Sequence, residues 1–270
     1  MTSELTIANV TIKTAELKLT SEFLGREVTC TLYLPEMENV VGPLHLLLLN
    51  DGQDLPKMNY TGILEELYGR NALQPVLTVG ITAGERTVEY GLSIQADCKG
   101  RGAEANAYRQ FITEELLPAI SENSGVTAFA SYTIAGFSLG ALSAFDIAWH
   151  HPEIFSKVGC FSGSFWWRAK DLDDGYKPEH LLAHKTVSET PEKPGLKFWF
   201  QVGTKDETAD RDGNGIIDSI DDTTSLIAEL YKKGYQRDSD VQYVELIGGR
   251  HNVETWGTMM PKFLVWAFGV

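Results

Sequence analysis

Ser138 lies in Gly136-Phe137-Ser138-Leu139-Gly140, a GxSxG pattern with a strand-like run before it and helical spacing after it. A serine hydroxyl attacks carbonyl carbons well only when its proton can leave and its geometry is exposed. A sharp strand-to-helix turn lifts Oγ above the sheet edge, and the flanking glycines let backbone crowd there without Cβ clashes. The same turn aims the Leu139 N–H, at the start of the new helix, toward negative charge developing on a carbonyl oxygen. These residues point to nucleophilic acyl chemistry.

That chemistry needs a general base. The chain has six histidines. His45 falls inside an apolar strand, His150 and His151 end the helix after Ser138, and His180 and His184 lie in a polar excursion. Only His251, in Ile247-Gly248-Gly249-Arg250-His251-Asn252, follows a last strand and precedes a last helix. With such an elbow the partners follow in the order serine, acid, histidine. The acid is expected in Val202-Gly203-Thr204-Lys205-Asp206-Glu207, with Asp206 first and Glu207 as its neighbouring alternative. It would hold the imidazole tautomer and stabilise the imidazolium. A second oxyanion donor is expected from the loop after Leu44–Leu49. There Gly52 permits close approach and the Gln53 N–H is favoured, while Asp51 and Asp54 could equally be turn formers.

The elements that must position these groups are legible as an alternation. Residues 5–12, 15–20 and 27–34 read as consecutive strands, which predicts an antiparallel start. Leu44–Leu49 and Pro75–Ile81 are continuous apolar runs, as strands covered on both faces are. Helices are expected near 58–69, 103–122, 139–150, 223–233 and 255–267. Further strands are expected over Ser131–Ala135, 157–161, 196–202 and 241–246. The fold class is α/β: a mostly parallel sheet with antiparallel N-terminal strands and helices on both faces. One domain over 1–270 is the default for this length, with 170–195 an excursion over the site end.

The net charge is −14 and the sequence pI about 4.8. Such a surface repels polyanions, so neither nucleic acid nor an anionic membrane is an expected partner. Three scattered cysteines without a CxxC form neither a disulfide framework nor a zinc site. No apolar run approaches the roughly 20 residues a membrane span needs. The first residues, MTSELTIANV, lack the basic-then-apolar pattern of a secretory signal, so the cytoplasm is the expected location.

Taken together, the chain resembles the esterase D and enterochelin-esterase-like branch of the α/β hydrolases. The likeness rests on Tyr33-Leu34-Pro35, the Asn50–Asp54 loop, Arg86 with Glu89-Tyr90, Phe111 to Ile120 and Gly136–Gly140. Ser162-Gly163-Ser164-Phe165-Trp166-Trp167, Gly203–Asp206 and Gly248–Trp256 complete it, while residues 1–20 fall outside. The resemblance implies an α/β-hydrolase fold and hydrolysis of a small-molecule carboxylic ester without a catalytic cofactor. Relatives of this kind act on siderophore esters, feruloyl or acetyl esters of sugars, and thioesters, and a few transfer acyl groups. It carries the serine, acid and base onto Ser138, Asp206 and His251. It also sets Trp166 and Trp167 beside the substrate, although adjacent residues on an extended segment point opposite ways and could be core aromatics. Two alternatives stand beside hydrolysis: acyl transfer to a sugar or thiol by the same residues, and an inactive scaffold that binds in a calcium-dependent way.

The calcium expectation comes from residues 210–221, Asp-Arg-Asp-Gly-Asn-Gly-Ile-Ile-Asp-Ser-Ile-Asp. Oxygen donors recur at the first, third, fifth and ninth places as Asp210, Asp212, Asn214 and Asp218. Gly215 makes the turn, and the Ile216 carbonyl would serve seventh. Asp221 stands where a longer glutamate usually reaches in, and no helix precedes the loop. A structural calcium here would order the segment that carries Asp206.

Overall fold

The computed structural model describes residues 10–36 and 42–270. Among the described residues eight strands form one sheet in the order β1-β2-β4-β3-β5-β6-β7-β8. β1 (Ile12–Ser21) and β2 (Arg26–Pro35) make an antiparallel hairpin, and β2 pairs antiparallel with β4 (Val76–Ile81). From there β3 (His45–Asn50), β5 (Tyr132–Phe137), β6 (Lys157–Phe161), β7 (Lys197–Lys205) and β8 (Val241–Arg250) run parallel. This is the α/β architecture anticipated above.

Alternation along the inner strands builds two cores. In β3, Leu46 and Leu48 face one apolar cluster while Leu47 and Leu49 face the other. β7 does the same with Phe198 and Phe200 against Trp199. A strand whose successive side chains point to opposite faces, both covered, must be apolar throughout. The first cluster is covered by α3 (Ala105–Gln110), a π-helical turn (Phe111–Leu116), α4 (Leu117–Ser124), α5 (Leu139–His150), α6 (Leu182–Glu189) and α7 (Asp218–Lys232). The second lies under α1 (Tyr60–Gly69) and α8 (Val253–Phe268). A short turn, α2 (Arg86–Glu89), follows β4, and a 3-10 turn over Gly52–Met58 follows β3. Among the described residues no helix is long and apolar enough to cross a membrane.

The strand expected over 5–12 lies mostly outside the described residues. The one expected over 15–20 belongs to a longer β1 that begins at Ile12, paired residue by residue with β2. The helix expected over 103–122 is three helical segments end to end, with the π-helical turn in the middle. α7 starts five residues before its expected 223, because Asp218 and Asp221 favour a first turn as anions at a helix N-terminus. β8 runs four residues past its expected end at 246 and brings His251 directly to its tip.

Chain order reverses between β3 and β5: the chain steps outward from β3 to β4, then crosses back to build β5 and the strands beyond. A crevice at the carboxyl ends of strands at such a reversal is where α/β sheets bind ligands. Asp51, Ser138, Asp206 and His251 all follow the carboxyl ends of strands, those of β3, β5, β7 and β8.

Candidate active site

Ser138 joins β5 to α5 with φ 55° and ψ −119°, a backbone state that costs a non-glycine residue roughly 1–3 kcal/mol. The surroundings hold it there. Its N–H donates to the Phe161 carbonyl at 2.9 Å, and its own carbonyl accepts from Ala141, Leu142 and Ser164 at 3.1–3.2 Å. The motif glycines are steric requirements. A Cβ on Gly136 would come within 2.4 Å of the Gly140 carbonyl oxygen, and one on Gly140 within 2.6 Å of Asp51 Oδ2. Leu139 opens α5, so its N–H lies outside the helix's own hydrogen-bond ladder. Ser138 Oγ lies 3.3 Å from the Ser164 hydroxyl, a neighbour that sequence reasoning left without a role.

Asp206 sits in the turn that ends β7, its N–H donating to the Gly203 carbonyl at 3.1 Å. Its carboxylate is buried, with a side chain 1% exposed, and neither oxygen has a hydrogen-bond partner among the described residues. A buried carboxylate left this way is costly. An ionisable neighbour is His251, whose Nδ1 lies 3.9 Å from Asp206 Oδ2. Gly203 makes room, since a Cβ there would strike the Gly249 carbonyl at 2.4 Å and Asp206 Oδ1 at 2.6 Å. Glu207 is half-buried, and its charge acts on Asp222.

Trp256 links the histidine loop to the elbow. Its ring meets His251 edge-on at 5.3 Å and stacks on Phe137 at 5.0 Å. Its Nε1–H donates to Ser162 Oγ at 2.9 Å. The other histidines are engaged elsewhere. His45 bonds Ser131 and Gln74 at 2.7 and 2.8 Å. His184 Nε2 donates to the Asp222 carbonyl at 3.0 Å, and burial pushes its pKa down to about 4.

The loop after β3 is bound into the elbow by a buried polar network. Asp51, in left-handed backbone at φ 62°, receives Arg86 Nε at 2.8 Å and Nη2 at 3.1 Å. Burial pushes the Asp51 carboxyl above its usual range, and Arg86 opposes that shift. Gln53 Nε2 donates to the same Asp51 Oδ1 at 3.2 Å, and its Oε1 accepts from the Ala83 N–H at 3.1 Å. Asn50 donates to the Gly140 carbonyl at 2.7 Å and accepts from the Tyr108 hydroxyl at 2.6 Å. Asp51 and Asp54, weighed above as turn formers, therefore separate: Asp51 is an ion-pair partner, and Asp54 holds Lys57 at the surface.

Trp166 is half-buried, with the Arg101 guanidinium 4.6 Å from its ring centroid. Trp167 has no exposed surface, and its ring packs where Cβ atoms on Gly91 and Gly102 would otherwise sit. It is a core aromatic, which leaves Trp166 as the member of the pair open to solvent.

In 210–221, Asp210 accepts from the amides of Asn214 at 3.1 Å and Gly215 at 2.9 Å. Asn214 Nδ2 reaches Asp212 at 3.3 Å and Asp221 at 2.7 Å. Asp218 instead accepts from the Arg211 amide at 2.9 Å, with the guanidinium 3.6 Å away. Among the described residues no three His, Cys, Asp or Glu side chains gather as a metal site would need.

The family described as "Putative esterase" matches residues 21–267. The uncharacterised protein YjcH of Bacillus subtilis is 25% identical over 255 residues, 92% of this chain and 95% of its own length. Among solved structures, the enterobactin esterase of Shigella flexneri superposes with a TM-score of 0.70 at 23% identity, over 94% of this chain. The chain spans only 58% of that protein's length. The siderophore hydrolase EstB of Aspergillus nidulans gives 0.66 at 16% identity over 93% of each chain. These structural likenesses carry the fold, and the family match carries the enzyme class: the chain belongs to this esterase family.

Proposed function

We propose that the protein is a serine esterase that cleaves a small-molecule carboxylic ester through an acyl-enzyme on Ser138. The observation that supports it most is the pairing of a strained serine at a strand-to-helix elbow with a buried, unpartnered Asp206 carboxylate facing His251. Ser138 Oγ attacks the ester carbonyl while His251 takes its proton, and the carbonyl electron pair moves onto oxygen. The Leu139 and Gln53 amides hold that oxyanion. Collapse expels the alcohol, which takes the proton from His251. Water then repeats the cycle in reverse: His251 accepts its proton, the hydroxide oxygen bonds the acyl carbon, and Ser138 leaves with the proton restored. Asp206 orients the imidazole and stabilises its cation; the 3.9 Å separation tightens as substrate fills the site. Trp166 lines the acyl or alcohol side.

The test is hydrolysis of p-nitrophenyl acetate and butyrate by the wild type and by Ser138→Ala, followed by enterobactin-type esters, suggested by the Shigella flexneri neighbour, and feruloyl esters, suggested by the family resemblance. Turnover in the wild type and its loss in the variant is the expected result. Equal turnover in both would overturn the assignment.

A structural calcium at 210–221 is the remaining proposal. Its support is the spacing of Asp210, Asp212, Asn214, the Ile216 carbonyl, Asp218 and Asp221, and the way Asp210 already curls the loop through two amides. Binding requires Asn214 to present its oxygen and Asp218 to leave Arg211.

A further inference from the structure

The Arg86–Asp51 pair stands apart from the catalytic residues proposed above, yet it touches both segments that carry the proposed oxyanion donors, the loop after β3 and the elbow. Asp51 is buried with a side chain 2% exposed, and its N–H donates to the buried Tyr90 hydroxyl at 3.3 Å. Its Oδ1 is shared by Arg86 Nε and the Gln53 side chain. Its Oδ2 lies against the Gly140 Cα, where a Cβ would come to 2.6 Å, one residue beyond Leu139. The Arg86 Nη2 also reaches the carbonyl of Phe137, the residue before Ser138, at 3.5 Å. Below, Gly52 presses so closely on β4 that a Cβ would meet the Gly80 carbonyl carbon at 2.2 Å. Arg86 itself cannot wander: three residues on in α2, Glu89 is clamped by Arg26 through two 2.6 Å hydrogen bonds.

A planar guanidinium held bidentately fixes direction as well as distance, which an ammonium does not. We infer that Arg86 and Asp51 are positioning residues that hold the Gln53 and Leu139 amides in register for the same oxyanion, an inference that rests on the serine-esterase reading above. The pair joins the β3 loop, which carries one donor, to the elbow, which carries the other, across the point where strand order reverses. Its contribution falls on the tetrahedral state. Ground-state ester binding does not need the two amides aligned to within a fraction of an ångström, whereas the oxyanion does.

The experiment compares Arg86→Gln, Arg86→Lys and Asp51→Asn with the wild type. The readings are kcat and KM on a p-nitrophenyl ester and affinity for a trifluoromethyl ketone, which forms a tetrahedral adduct with the serine. Affinity for the corresponding methyl ketone, which binds without reacting, is the control. In Arg86→Gln and Asp51→Asn, kcat is expected to fall roughly 10- to 100-fold with KM within about threefold. Trifluoromethyl ketone affinity falls in parallel and methyl ketone affinity holds. Arg86→Lys keeps the charge and recovers part of kcat. If the glutamine variant melts below the assay temperature, the lysine variant carries the test with the same split between kcat and KM at smaller size. Unchanged kcat in folded variants, or a rise in KM alone, would overturn the inference. Full activity in Ser138→Ala would overturn the reading beneath it, and this inference with it.

Discussion

At the scale of single residues the site is a set of groups whose local costs are met only in combination. Ser138 holds an unfavourable backbone, and Asp206 is buried with no hydrogen-bond partner. With Ser138 as the proposed nucleophile, Ser138→Ala leaves binding and electrostatics alone and is expected to lose about 10³-fold or more in kcat. Asp206→Asn keeps shape while favouring the wrong imidazole tautomer, and is expected to lower kcat by about 10³- to 10⁴-fold. Glu207→Gln is expected to leave kcat within a few-fold, because its charge acts on Asp222. A large loss in Glu207→Gln with none in Asp206→Asn, measured by steady-state kinetics, would exchange their roles.

Single elements show what was legible in advance and what was not. The helix over 139–150 and the strand over 157–161 stand where their patterning set them, because each joins a strong apolar period to a clear start or stop. That Ser138, Asp206 and His251 each follow the carboxyl end of a strand was legible from chain order once the elbow is seen, and their roles rest on the proposal above. The Arg86–Asp51 pair was not legible in the same way. Its members are 35 positions apart, neither lies in a periodic run, and an aspartate before a glycine reads first as a turn residue. That one of Trp166 and Trp167 could be a core aromatic was legible, but not which, since the cover of Trp167 comes from Gly91 and Gly102 on another loop.

α6 carries a prediction of its own. His184 has its pKa depressed to about 4 by burial, from an ordinary 6.5. Above pH 6.5 it is neutral folded or unfolded and adds no pH dependence. As pH falls from 6.5 toward 4, the unfolded chain takes the proton first and stability drains away, by roughly 3 kcal/mol at most. His184→Gln is expected to flatten that part of the denaturant-measured stability profile; an unchanged profile would place the acid sensitivity elsewhere. For the loop ahead of α7, millimolar calcium is expected to raise the melting temperature of the wild type and not of Asp210→Ala. Equal melting of the wild type in calcium and in EDTA would remove the ion from the account.

For the whole molecule, the sheet does two jobs. Its inner strands are buried on both faces, and their carboxyl ends meet where strand order reverses. Leu48→Ala, in β3 just below Asp51, is expected to cost about 2–5 kcal/mol in chemical denaturation. Leu172→Ala, at an exposed position, is expected to stay within about 0.5 kcal/mol. Comparable losses would mean that the two-faced core does not carry the stability.

The most direct test of the central claim is to label the protein with a fluorophosphonate and locate the adduct by peptide mass spectrometry. The account predicts one stoichiometric adduct on Ser138, absent in Ser138→Ala and much slowed in His251→Ala. A folded wild type that stays unlabelled, or an adduct on Ser164 or another residue, would contradict it.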